Sequence, residues 1–348
     1  MAINKEYCCS SFLAFRYIYE KDMDFADGLK HEHFVQIPDS KKILVKTAKD
    51  VDEALKAQFD KLKGKKLGIL LSGGMDSAIL ASYMPGCDAY TFRFLNGKYQ
   101  EAELKRAEAF AKYYNLKLHY VDINFDIVKE NTDICMKHKN APIHSIEPQI
   151  YEGAKHAKAD GVELMIIGDA SDYVFGGMDK LLAKDWDFDE FYHRFIYLEP
   201  EEILQKPYDL RYIFEKYRLP NDKIDFLRIM DTITIDESYS SYKNAFESFG
   251  MLFEDPYEIL KMADPLDLSR IRNGESKYMI RELFKMRYPT IPVPEKNPMP
   301  RPVDVYFKDW QGPTRNEFRK DIDMNKLSGN QKWLLYSLEH FLNLFDIK

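Results

Sequence analysis

Residues 67–77 read LGILLSGGMDS: an apolar run that ends in two glycines and continues into AILASYM. A short, fully apolar run bounded in this way predicts a parallel strand buried on both faces. AILASYM predicts a helix. A chain that passes from a buried strand through a glycine turn into a helix is drawn towards an α/β layered fold. The turn itself, Ser72-Gly73-Gly74-Met75-Asp76-Ser77, has the chemistry of an anion cradle. The glycine pair lets the backbone turn tightly and bring N–H groups up to a ligand. The helix that follows adds its positive end, and Ser72 and Ser77 add hydroxyl donors. Asp76 would repel a phosphate, so its presence implies a metal ion bridging the two. No Gly-Lys-Ser/Thr follows, so the loop is not a Walker A motif.

The pattern repeats along the chain. AYTFRF (89–94), LKLHYVDI (116–123) and VELMIIGD (162–169) predict further strands, with helices at 100–115 and about 147–158 between them. This alternation predicts a parallel doubly wound sheet. Before it, residues 50–63 place Val51, Ala54, Leu55, Phe59 and Leu62 at helical spacing, and Gly64 supplies a stop. Residues 1–60 otherwise read as mixed, with short strands turning at Pro38-Asp39. After about residue 185 strand-like runs disappear and helical, aromatic-rich patterns take over. IPVPEKNPMPRPVD (291–304) carries five prolines and must be a loop. The chain ends in an amphipathic helix, NQKWLLYSLEHFLNLF.

Composition excludes several classes of function. A net charge of -7 disfavours a nucleic-acid binder, which needs a basic face. No polybasic run suits a membrane surface, and no apolar run approaches the roughly 20 residues of a membrane span. The four cysteines, Cys8, Cys9, Cys87 and Cys135, form no CxxC pair, which argues against a disulfide scaffold and a structural zinc site. With no signal peptide at the N-terminus, the expected setting is the reducing cytoplasm.

A second motif, Gly168-Asp169-Ala170-Ser171-Asp172-Tyr173-Val174-Phe175-Gly176-Gly177, closes the fourth predicted strand. Carboxylates at that end of a strand fall where doubly wound sheets bind ligands. Asp172 is therefore a candidate to share a Mg²⁺ with Asp76. SGGMDS resembles the loop of the PP-loop ATP pyrophosphatases, which fold as adenine-nucleotide α-hydrolases. The two motifs together resemble the synthetase domain of the asparagine synthetases and their β-lactam synthetase relatives, which carry G-[DE]-G-[AS]-D-E-[LV]-F-G-G at the second site. Gln100-Glu101 sits where that family has an Asp-Glu pair, and Lys277 and Arg281 match its K-x-x-L-R helix. Lys296, Pro302 and Asp304 match its R-P-K-x-G-F-x-x-P-x-D loop. The likeness spans about residues 50–348.

The resemblance implies a ligase that activates a carboxylate as its acyl-AMP, with attack by ammonia or an amine. It implies an ATP site of Leu71, Ser72, Gly73, Gly74, Asp76, Ser77, Phe92 and Gly168, with Mg²⁺ on Asp76 and Asp172. It also implies that Lys296 neutralises developing charge and that Asp169 faces the substrate. The family's E-A-R-V-P-F-L-D segment is matched poorly, near FESFGMLFED (246–255); Glu247 is the candidate for its acid/base residue, with Glu254 behind it. Ala170 and Tyr173 also depart from the family pattern. The glutaminase domain of glutamine-dependent members is not expected: residue 2 is Ala2, and residues 1–60 resemble only the tail of that domain, with the synthetase domain at 61–348. The expected partners are a small carboxylate and ammonia or an amine, with a separate glutaminase as a source. Two other readings stand beside this one: a PP-loop enzyme acting on another acceptor such as tRNA, and a non-catalytic partner subunit.

Overall fold

The computed structural model describes residues 2–95, 101–295 and 299–347. Five strands build the main sheet: β1 (Leu67–Leu70), β2 (Asp88–Phe94), β3 (Lys117–Ile123), β4 (Leu164–Ile166) and β5 (Leu252–Glu254). Every neighbour pairs in parallel, in the order β3-β2-β1-β4-β5. The longer helices are α1 (Lys5–Phe15), α2 (Ala48–Lys61), α3 (Met75–Ala81), α4 (Glu101–Tyr113) and α5 (Phe125–Lys139). They continue with α6 (Glu147–Ala159), α7 (Phe188–Phe195), α8 (Ile235–Glu247), α9 (Tyr278–Arg287) and α10 (Gly329–Leu344).

The strand order places the reversal point of the chain between β1 and β4. From β1 the chain moves outward through β2 to β3, then returns to β4 on the other side of β1. Alternate residues of each strand face opposite layers. Ile69 and Ile166 join a core with α2, α3, α4 and α9, whereas Leu70 and Met165 join one with α1, α5, α6 and α10. The parallel doubly wound sheet expected from the alternation of strand and helix is thus present.

Four elements differ from the expectation. The strand-like character does not end at residue 185: β5 adds a fifth, edge strand, and Leu260–Met262 pairs in parallel with Ile43–Val45 as a small separate sheet. Residues 125–139 form a helix, capped where the Asn124 side chain accepts the Ile127 N–H at 2.9 Å and closed by Asn140 in the left-handed region. The front of the chain holds α1, in which every residue from Tyr7 to Phe15 is buried. Among the described residues no helix is long and apolar enough to cross a membrane.

Candidate active site

The C-terminal ends of β1, β2 and β4 open onto one cavity of about 160 Å³. Leu71, Ser72, Asp76 and Ser77 line it from the first motif, Phe92 from β2, and Gly168, Asp169 and Asp172 from the second motif. This is the crevice at the topological switch point where doubly wound sheets bind ligands. Local sequence explains each placement. The Leu71 N–H donates to the Tyr90 carbonyl at 2.8 Å, which extends the sheet by one residue before the glycines release the chain. Two serines then hold the turn: the Ser72 N–H donates to Ser77 Oγ at 3.1 Å, and the Gly74 N–H donates to Ser72 Oγ at 3.1 Å. Gly74 is the N-cap of α3, so the first turn of that helix points at the cavity.

Gly73 is required by space. A Cβ there would lie 2.6 Å from the Glu103 carbonyl oxygen. Helix α4 therefore packs directly on the loop, and Arg106 Nε donates to the Gly73 carbonyl at 2.9 Å. Glu103 lines the cavity, and its carboxyl is raised by burial, with the Gly73 N–H and Arg106 holding it back. Gln100-Glu101 matches the family's Asp-Glu pair. Gln100 lies outside the described residues, and Glu101 is exposed and paired with Lys105 at 2.8 Å. The signal for Glu103 lay in the helix period, since it shares one face with the buried Leu104, Ala107, Phe110 and Ala111.

The two candidate metal ligands converge. Lys277 Nζ lies 2.7 Å from Asp76 Oδ2 and 2.8 Å from Asp172 Oδ1. Burial alone would lower this ammonium, but Asp172 and Asp76 hold it above its ordinary value. Ser171 Oγ donates to Asp76 Oδ1 at 2.6 Å. Gly177 closes the group from behind: a Cβ there would sit 1.9 Å from Asp172 Oδ1 and 2.3 Å from Lys277 Cε. The two carboxylates line one cleft and are hard oxygen donors of the kind magnesium takes; the cation between them here is the Lys277 ammonium.

Asp169 is raised to about 7: burial drives it up, the Ser238 hydroxyl that donates to it holds it down, and Asp255, Asp172 and Glu237 push it further up. Asp255 was not foreseen. It follows β5, is buried, and is raised to about 7 by burial, against the pull of its Ala170 and Tyr257 N–H donors at 2.7 and 3.0 Å.

Glu247 is not brought to the cavity. It lies on the last turn of α8, exposed, with Lys243 Nζ 2.6 Å from its carboxylate. Glu254 lies on the edge strand and is also exposed. The buried acid of α8 is Glu237, which pairs with Arg16 at 3.0 Å. Lys296 lies outside the described residues; of its loop, Met299 and Pro300 line the cavity. Asp304 accepts the Gly329 N–H at 2.6 Å and so fixes the start of α10.

The chain is similar to several known proteins. Residues 46–228, just over half of the chain, match the family model described as asparagine synthase. A Methanocaldococcus jannaschii protein named "Putative asparagine synthetase (glutamine-hydrolyzing) 1" is 25% identical over 185 residues. That match takes in 50% of this chain and 31% of the relative, so the chain spans about a third of that protein's length. Among solved structures, the NMN synthetase of Francisella tularensis is 17% identical over 38% of this chain and 57% of its own, with a TM-score of 0.27. The NH3-dependent NAD synthetase of Campylobacter jejuni is 14% identical over 72% of this chain and 97% of its own, with a TM-score of 0.25.

Proposed function

We propose that this chain, which belongs to the asparagine synthase family, is an ATP-dependent carbon–nitrogen ligase that activates a carboxylate as its adenylate. One observation carries the reading. Asp76 and Asp172, from two different strand ends, meet at one buried lysine and line the cavity that Ser72 and Ser77 also line.

The hydroxyls of Ser72 and Ser77, with the start of α3, would hold the polyphosphate of ATP, the loop N–H groups fixing the turn that presents them. Asp76 and Asp172 would hold Mg²⁺, which when bound neutralises phosphate charge. Lys277, already between the two aspartates, keeps them together and adds a positive charge. The substrate carboxylate attacks the α-phosphorus; the bond from that phosphorus to the bridging oxygen breaks and pyrophosphate leaves. The amine nitrogen then attacks the acyl carbon, the carbon–oxygen bond to AMP breaks, and AMP departs. The surplus proton on nitrogen passes to Asp169, which at about 7 can accept it near neutral pH. Lys296 is assigned the charge that develops in both steps. The nitrogen comes from ammonia, free or released by a separate glutaminase, or from an organic amine.

The test uses ATP labelled at the α-phosphate, with a panel of carboxylates and amines. The expected products are AMP and pyrophosphate, formed only when both substrates are present. ADP and phosphate would sink the proposal. Lys296→Ala should lower turnover by roughly 10²–10³, the usual effect of removing one group that stabilises developing charge.

A further inference from the structure

Asp76 and Asp172 sit on separate short turns of chain. Asp76 is in the first turn of α3, and Asp172 is in a single helical turn, Ser171–Val174, that follows β4. Each carboxylate is only as fixed as the main chain beneath it. The segment that leaves β5, Asp255-Pro256-Tyr257, touches both turns. Asp255 Oδ2 accepts the Ala170 N–H at 2.7 Å, and Ala170 is the N-cap residue of the turn that carries Asp172. Tyr257 donates its hydroxyl to the Asp76 carbonyl at 3.1 Å. The two contacts are tied to each other, because Asp255 Oδ1 accepts the Tyr257 N–H at 3.0 Å.

Packing leaves this clamp little slack. Asp255 and Tyr257 are buried, and the Tyr257 ring stands edge-on to Phe175 of the second motif, with centroids 6.2 Å apart. Just beyond β4, a Cβ on Gly168 would lie 3.4 Å from both the Asp76 carbonyl carbon and the Tyr257 ring. The Ala170 N–H, at the start of a helical turn, has no partner inside that turn, so Asp255 is what orients it. Neither Asp255 nor Tyr257 lines the cavity. Whatever they do for its chemistry, they do through the two aspartates.

We propose that Asp255 and Tyr257 are positioning residues that set the separation of the Asp76 and Asp172 carboxylates, and so tune the site for Mg²⁺ over a larger divalent ion. The proposal rests on the ligase reading above, which puts Mg²⁺ on those aspartates. Mg²⁺ demands near-ideal octahedral oxygens at about 2.0–2.1 Å, whereas Ca²⁺ accepts flexible geometry at about 2.3–2.6 Å. Carboxylates held at one spacing can select the first ion; carboxylates that drift serve the second equally well. The clamp grips main chain, so it fixes the two turns whichever cation the carboxylates hold.

Calorimetry of ATP binding to the full chain, in EDTA, in Mg²⁺ and in Ca²⁺, tests this. For the wild type, Mg²⁺ should tighten ATP binding more than Ca²⁺ does. Tyr257→Phe, which loses one hydroxyl, should lose about three- to tenfold of the Mg²⁺ gain, one hydrogen bond's worth, and keep its affinity in EDTA and its Ca²⁺ gain within about twofold. Asp255→Asn should do the same, and the double variant should lose no more than the larger single loss, since one clamp is broken. If Asp255→Asn does not fold, Tyr257→Phe decides alone. An unaltered Mg²⁺ preference in Tyr257→Phe overturns the proposal, as does an equal loss in all three media, which a purely structural role would give. AMP release is measured separately. A preference lost in the variants, with no AMP formed by the wild type from any carboxylate, leaves the clamp standing and removes the ligase reading; AMP formation with an unaltered preference does the reverse. A wild type with no Mg²⁺ preference overturns both.

Discussion

Lys277 has a backbone φ of 52°, a region that favours glycine and asparagine, yet it is buried and holds two aspartates. Removing its charge takes the shared cation away from two half-buried carboxylates. Lys277→Met should cost about 3–5 kcal/mol, as for a broken buried ion pair. Urea unfolding measures this, and a loss below about 1 kcal/mol would show that water already neutralises the site. Asp169 yields a prediction in pH. Its native value of about 7 lies above the ordinary 3.8, so the native state holds the proton more tightly. Its stabilising contribution is complete below about pH 4 and is lost as pH rises through 7, by roughly 2–4 kcal/mol. Asp169→Asn cannot ionise and should lack this loss, so the variant should gain on the wild type in melting temperature between pH 5 and 8. Equal slopes for both proteins would contradict the cause given. Asp169 was legible in the sequence because it follows a strand end, and Lys277 because it falls on the Lys of the family's K-x-x-L-R helix. Glu237 was not, since its role depends on Arg16, far off in the chain.

At the level of elements, the contact of α4 with the glycine loop gives a sharp expectation. The neighbour that a Gly73 side chain would strike is backbone, the Glu103 carbonyl oxygen, which cannot swing aside. Gly73→Ala must therefore move the loop or α4. Overpacking of this kind costs about 1–3 kcal/mol, and ATP affinity should fall by about tenfold or more while the far-ultraviolet spectrum stays unchanged. Retained affinity would mean that the loop moves freely on binding. The elements that the sequence concealed share a physical reason. Helix α1 is buried on nearly every side, so it shows no apolar stripe of period 3.6. Strand β5 is an edge of three residues with exposed ends, so it shows no apolar run. Glu247 was chosen by register alone. It lies ten residues beyond Glu237 on α8, about 15 Å along the helix axis, which takes it out of the site.

For the whole molecule, the N-terminal segment is part of the core. Helix α1 buries Phe12, Leu13 and Phe15, and its carbonyl at Ala14 accepts the Tyr197 N–H at 3.0 Å. Lys5 pairs with Glu317 at 3.1 Å, and Ile43–Val45 pairs with Leu260–Met262. Each large apolar side chain contributes about 1.5–3 kcal/mol on burial, against a typical net stability of 5–15 kcal/mol. A chain starting at residue 46, where the family match begins, should therefore lack fixed tertiary structure, as read by near-ultraviolet circular dichroism. A native spectrum from that fragment would show that the synthetase region folds without α1.

The crowding at Gly177 bears on what the site tolerates. A Cβ there would meet Asp172 and Lys277 at once, two members of one charged group reached from a single backbone position. Gly177→Ala should therefore weaken ATP binding, as read by calorimetry, and unchanged affinity would show that the group shifts freely.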